Sequence, residues 1–290
     1  MNYKIKIDEI TQEISTDEYF ELFLDQCKQF IEQVRIKVEN DTKKQSSQKH
    51  NNRTLIGVVG GAGAGKSSFC SIIKNLLCRE ACGDKIIEKG NSSTYDKKAI
   101  TVSMDGYHFT NEYLDSNFIS GTNKTLRTIK GDLLSIDAES IYNDLLKLKD
   151  ANNNEISKVG DDKFPILKKK VYFPVYDRNL HDPVPNKICV EPYHEIVFFE
   201  GLHLLTNDNS YWDQIKLLLD GLIVLNTAVG VCKERVITRR VTQGKTKDAA
   251  TKHWENNDLH IHQRIHKSIE KEMNNGHFQN IPILLLHPKK

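Results

Sequence analysis

No stretch of this sequence is long and apolar enough to cross a bilayer. The longest apolar runs, such as 217–219 and 222–225, are broken by Asp220, Gly221 and Asn226. Residues 1–6, Met-Asn-Tyr-Lys-Ile-Lys, lack the apolar core of a signal peptide. Cysteine is sparse and scattered, at Cys27, Cys70, Cys78, Cys82, Cys189 and Cys232. Cys78 and Cys82 have a spacing seen in metal sites. No second Cys/His pair lies near them in sequence, so reduced thiols are expected rather than a zinc site. A cytoplasmic protein without a membrane partner is the expectation. An excess of one charge is also lacking. Lys plus Arg is 41, Asp plus Glu is 39, and the net charge is +2. That balance argues against nucleic acid as a partner, and local basic stretches such as Lys168-Lys169-Lys170 do not change it. There is no internal repeat, and no Asn-Lys-x-Asp run of the kind that reads guanine.

What is present centres on residues 55–69. Leu55 to Val59 is an apolar run that predicts a buried strand. It leads into Gly60-Gly61-Ala62-Gly63-Ala64-Gly65-Lys66-Ser67, which fits G-x-x-x-x-G-K-[ST] at every fixed position. Residues 68–77 then predict a helix, with Phe69, Ile72, Ile73, Leu76 and Leu77 on one face. Small residues let the backbone approach a polyphosphate and aim successive N–H groups at it. The helix N-terminus, carrying Ser68, adds its positive end. Lys66 is placed to reach the β- and γ-phosphates, and the Ser67 hydroxyl to ligate Mg²⁺.

Residues 1–53 are expected to form one amphipathic helix, capped by Asp17 and running to Val38, followed by a polar linker over 40–53. The helix is expected to pack on the domain formed by residues 54–290, with a homodimer contact as the alternative. Residues 80–98 are polar and irregular. A second strand at 99–104 ends in Asp105-Gly106-Tyr107-His108-Phe109, an acid where open α/β sheets bind ligands. A short helix is expected at 111–118. Arg127 lies in the polar, basic stretch 121–130 as a candidate substrate contact. Asp137 caps a helix to Leu148, with Ile141, Leu145, Leu146 and Leu148 inward.

Residues 164–167 and 170–173 look like hairpin strands, and Pro174-Val175-Tyr176-Asp177-Arg178-Asn179-Leu180-His181-Asp182-Pro183 reads as a polar recognition loop. A third core strand, 194–199, ends in Glu200-Gly201, like a Walker-B strand whose acid serves Mg²⁺ or its water. Helices at 212–219, 229–242 and 249–273 and strands at 221–225 and 281–286 complete the chain. The pattern is α/β, with a mainly parallel sheet and helices on both faces. In a phosphotransferase, Arg235, Arg239 and Arg240 would belong to a lid closing on the γ-phosphate.

These motifs together resemble the uridine kinase, phosphoribulokinase and bacterial pantothenate kinase group, in its uridine-kinase-like, fructose-transport-system-kinase-like branch. The resemblance runs from about Leu55 to about Ile265. It rests on Gly60 to Ser67, on Ser103 to Phe109, on Tyr176 to Pro183, on Phe199 to Leu205, on Glu234-Arg235 with Arg239-Arg240, and on Asn257-Asp258. It implies the three-layer P-loop NTPase fold with a lid, and ATP-dependent phosphorylation of a hydroxyl on a small metabolite. Asp105 would be the general base and touch the Mg²⁺ shell. Glu200 would hold Mg²⁺ with Ser67. The segment of Tyr176, Asp177, Arg178 and His181 would face the acceptor, and Arg239 or Arg240 would be the lid arginine; Tyr107, His108 and Arg127 are further candidate acceptor contacts read from the residues themselves. Lys130-Gly131-Asp132-Leu133-Leu134-Ser135-Ile136-Asp137 departs from the group's Lys/Arg-Gly-x-Pro-x-Thr-Phe-Asp, and Leu202-His203 replaces its Tyr or Asn after Glu-Gly. The alternative reading is an ATPase that couples hydrolysis to conformational change or to a protein partner.

Overall fold

The computed structural model describes residues 2–7, 10–15, 18–45, 53–80, 99–149, 154–155, 158–159, 162–163, 167–168, 170–206, 210–275 and 281–288. The expected cap at Asp17, the linker after residue 45, the irregular stretch 81–98, the strand residues 164–166 and Cys82 lie outside them, as does the side chain of Cys78.

The central sheet has five strands: β3 (Thr54–Val59), β4 (Ala99–Ser103), β11 (Ile196–Gly201), β12 (Gly221–Leu225) and β13 (Ile283–Leu286). Their order is β13-β12-β3-β11-β4, and every pairing is parallel. Period-two alternation sorts each strand into two cores. Leu55 and Val59 of β3 join Val197, Phe199, Leu222 and Val224 on one face. Ile56 and Val58 join Ile196, Phe198, Ile223 and Leu225 on the other. Strands buried on both faces must be apolar throughout, which is why they read as continuous runs.

Helices cover both faces. The first core is closed by α1 (Glu18–Gln45), α2 (Lys66–Glu80) and α6 (Val229–Thr242), through residues such as Leu24, Ile31 and Val34 of α1. The second is closed by α4 (Ala138–Lys149), α5 (Tyr211–Leu218) and α8 (Leu259–Asn275). Helix α7 (Lys247–His253) runs into α8 through a π-turn at Trp254–Asp258. A short α3 (Asn111–Ser116) follows the 3-10 turn Met104–Tyr107.

Three elements depart from the sequence reading. The chain opens with an antiparallel hairpin, β1 (Asn2–Ile7) and β2 (Ile10–Ser15), ahead of α1. Leu146 points outward at 40% exposure. Ile141, Leu145 and Leu148 fall at i, i+4 and i+7 on one face, and one further residue turns about 100° away from it. The strand expected at 170–173 runs on as β9 (Val171–Asp177), and the stretch read as a loop forms a hairpin with β10 (Asp182–Val190). Pro174 did not end the strand, because a two-stranded ribbon leaves one edge of each strand unpaired and proline fits there. The remaining strands, β5 (Asn154–Glu155) with β8 (Leu167–Lys168) and β6 (Lys158–Val159) with β7 (Asp162–Lys163), are two-residue ladders.

Candidate active site

The carboxyl ends of β3, β11 and β4 lie side by side, and each carries one part of the site. The loop Gly60 to Gly65 leaves β3, and α2 begins at Lys66. The Lys66 ammonium donates to the carbonyls of Gly60 (3.0 Å) and Gly61 (3.2 Å). Burial lowers its pKa, and the positive charge of Arg239 adds to that. Glu200 and Asp105 pull the other way. Ser67 Oγ donates to the Glu200 carboxylate, at 2.9 Å to Oε1 and 3.1 Å to Oε2. Glu200, the penultimate residue of β11, is 6% exposed and has a raised pKa. Burial is the main cause, and the negative charge of Asp105 is the second to raise it.

Asp105 follows β4 in the 3-10 turn, whose N-cap Ser103 accepts the Asp105 N–H through Oγ at 3.3 Å. The Asp105 carbonyl accepts from His108 Nδ1 at 2.8 Å, which fixes that tautomer. Arg239, on α6, has a lowered pKa from burial and from Arg178 and Arg240, while Asp258 and Asp105 oppose. The phosphate loop, Glu200, Asp105 and an α6 arginine thus share one electrostatic neighbourhood.

Other predicted residues are placed as follows. Tyr107 is buried and donates its hydroxyl to Asp144 Oδ2 at 2.8 Å, so that group is held within the fold. Asp177 Oδ1 accepts the N–H groups of Asn179 (2.8 Å) and Leu180 (3.0 Å) and so caps the hairpin turn. Those two N–H bonds hold its carboxyl below the usual range. His181 adopts φ 54 in that turn; its side chain is exposed, and its carbonyl accepts from Tyr176 Oη at 2.8 Å. Tyr176 lies 5.3 Å from the His108 ring, within electrostatic reach of Arg127, Asp105 and Arg178. Arg240 reaches Asp258 at 4.0 Å, a long contact. Ala62, Ala64 and Ser68 are half-buried or buried parts of the loop and first turn.

Several supports were not visible in the sequence. Thr227, just after β12, donates Oγ1 to the Ala64 carbonyl at 3.0 Å, and Arg235 donates to the Gly63 carbonyl at 3.2 Å. The His262 ring lies against Gly61, where any Cβ would overlap it. His203 Nε2 donates to the Gly131 carbonyl at 2.9 Å, which ties the two departures from the group's pattern to each other. A polar residue at a strand's carboxyl end was the available signal for Thr227. The other contacts join residues too distant in sequence to leave one.

A divalent cation fits the Ser67–Glu200 pair. A buried carboxylate with a second acid nearby and a hydroxyl on it is a donor set for Mg²⁺, which takes few protein ligands and completes its shell with phosphate and water. Among the described residues no group of three or more His, Cys, Asp or Glu side chains forms an all-protein metal cage.

Fold and site together define an α/β phosphate-loop protein. The sequence pattern of the phosphoribulokinase / uridine kinase family matches residues 128–281, which do not include the loop itself. A Schizosaccharomyces pombe protein provisionally named a uridine kinase is 30% identical over 213 residues, covering 73% of this chain and 77% of that protein. The ATP-dependent kinase YFH7 of Vanderwaltozyma polyspora is 28% identical over 49% of this chain and 45% of its own length. Among solved structures, a protein of Silicibacter sp. TM1040 provisionally described as a fructose transport system kinase superposes with TM-score 0.59 at 19% identity. That match covers 88% of this chain and 98% of the other. YFH7 of Saccharomyces cerevisiae gives TM-score 0.57 at 17% identity, covering 82% and 93%. The structural matches establish the fold. The chain belongs to the phosphoribulokinase / uridine kinase family.

Proposed function

We propose that this protein is an ATP-dependent phosphotransferase that moves the γ-phosphoryl group of ATP to a hydroxyl of a small metabolite. The observation that carries this reading is the meeting of Lys66, the Ser67–Glu200 pair and Asp105 at the ends of three adjacent strands, with Arg239 close by. Phosphoryl transfer needs a phosphate cradle, charge neutralisation, an in-line acceptor and a base, and little else from the protein. The loop N–H groups and Lys66 would hold the β- and γ-phosphates. Ser67 and Glu200 would hold Mg²⁺, whose charge would offset that of the phosphates. Asp105 would take the acceptor's hydroxyl proton as that oxygen bonds to the γ-phosphorus. The bond from the γ-phosphorus to the β–γ bridging oxygen breaks, and ADP leaves. Arg239 would steady charge on the transferring group.

The test is ADP release from ATP and Mg²⁺ with a panel of hydroxyl metabolites, followed by mass detection of a phosphorylated product. Stimulation with product, and its loss by about 10²-fold or more in Asp105→Asn, is the expected result. A steady rate that no compound changes, kept in Asp105→Asn, would favour an ATPase acting on a partner.

A further inference from the structure

Beside Asp105 two cations lie beyond ion-pair distance of any carboxylate among the described residues, although Asp182 and Asp115 act on Lys130 from further away. The Lys130 ammonium lies 4.9 Å over the Tyr176 ring and donates to Asn111 Oδ1 (2.6 Å) and to the His181 carbonyl (2.9 Å), both neutral. Arg127 belongs to the same group. Its charge acts on both Lys130 and Tyr176, and its Nη1 is buried with no hydrogen-bond partner. Neither side chain has a carboxylate within ion-pair distance among the described residues. The nearby Asp182 spends Oδ1 on the Asn111 N–H at 2.8 Å. Asp105 faces Lys66, Glu200 and Arg239. His108 closes the path from Asp105 to this group, bonded to the Asp105 carbonyl and 5.3 Å from Tyr176.

A guanidinium nitrogen buried without an acceptor is costly unless something supplies one. A planar fork beside a point charge matches a carboxylate or a phosphate. We propose that Arg127 and Lys130 form an anion subsite, and that the acceptor is a hydroxy compound bearing a carboxylate or phosphate ester close to its reacting hydroxyl, not a neutral nucleoside or sugar. The choice of acceptor rests on the kinase reading above; the anion subsite does not.

The full chain, saturated with Mg²⁺ and a non-hydrolysable ATP analogue, is titrated with inorganic phosphate and separately with malonate while its thermal midpoint is followed. Either anion is expected to raise the midpoint, and the stronger one tells phosphate from carboxylate recognition. Arg127→Met removes the rise and Arg127→Lys weakens binding by about tenfold, because the fork is lost while the charge stays. Turnover is then measured on matched pairs: ribose 5-phosphate against ribose, gluconate against glucose, glycerate against glycerol. Preference for the anionic member supports the proposal. Equal or better use of a neutral member overturns the acceptor assignment and leaves the kinase reading intact. A midpoint rise identical in Arg127→Met, or none in the wild type, overturns the subsite itself. An Arg127-dependent rise with no acceptor turned over supports the subsite and counts against the kinase reading.

Discussion

His203 and His262 are 1% and 2% exposed; His203 keeps one ring nitrogen without a partner and His262 both. Burial pushes both pKa values down to about 4. Around His203 the carbonyl of Gly131 and the charge of Asp132 oppose that shift, while Arg264 and His108 add to it. Around His262 the neighbours His266 and Lys66 add to it. The unfolded chain takes up these protons as pH falls through its ordinary value near 6.5, whereas the native protein does not until about 4. Stability is therefore intact above the unfolded value and declines as pH falls from there toward 4. At pH 5 each ring accounts for about 2 kcal/mol of lost stability. Urea midpoints at pH 7.5 and pH 5 should show the fall, and His203→Gln, which keeps a donor for Gly131, should remove about half of it, leaving the share of His262. A pH-independent midpoint would mean that the rings are hydrated in solution. His203 stood out in the sequence only as a departure from the group's pattern and His262 not at all, because burial is a property of the assembled core.

Elements meet at the site through close backbone approaches. Gly61 touches the His262 ring of α8, and Gly106 of the 3-10 turn lies against the Pro174 backbone of β9. A methyl group at Gly61 must push the ring or tilt the phosphate loop. Gly61→Ala is expected to weaken ATP binding by about tenfold, and adding His262→Ala should restore most of it, since directly touching residues couple. Calorimetric titration of the wild type and the three variants checks this. Additive effects would place the fault elsewhere in the loop. The loop's glycines were legible because a phosphate cradle is local in sequence. Asp105 and Glu200 were legible because each follows an apolar strand. The β9–β10 hairpin was legible only in part: its polar residues drew attention, but Pro174 and the Tyr-Asp-Arg run disguised a bulged ladder as a loop.

At the scale of the molecule, α1 is part of the core. Phe30 (7% exposed) and Val34 (0%) join the same cluster as Ile56 and Ile223 of the central sheet. Its helical period predicted an apolar face packed on the domain of residues 54–290, but not which face of the sheet it covers. Phe30→Ala should cost about 3–5 kcal/mol of global stability, read from denaturant unfolding with tryptophan fluorescence. A detachable appendage would fray instead and leave the main transition unmoved.

The π-turn at Trp254–Asp258 gives the long helical run after α6 two phases. Upstream of it, His253 looks toward Asp258 and its neighbour Arg240. Downstream, His262 meets the phosphate loop and Arg264 pairs with Asp132 at 2.9 Å. A π-turn is an α-helix holding one residue too many, and each residue is worth about 100° of rotation. Excising a single residue such as Asn256 would yield a smoother helix whose two halves no longer address their separate targets. Here spelling matters less than counting: apart from buried Trp254 and the paired Asp258, the segment should accept many substitutions and no deletion.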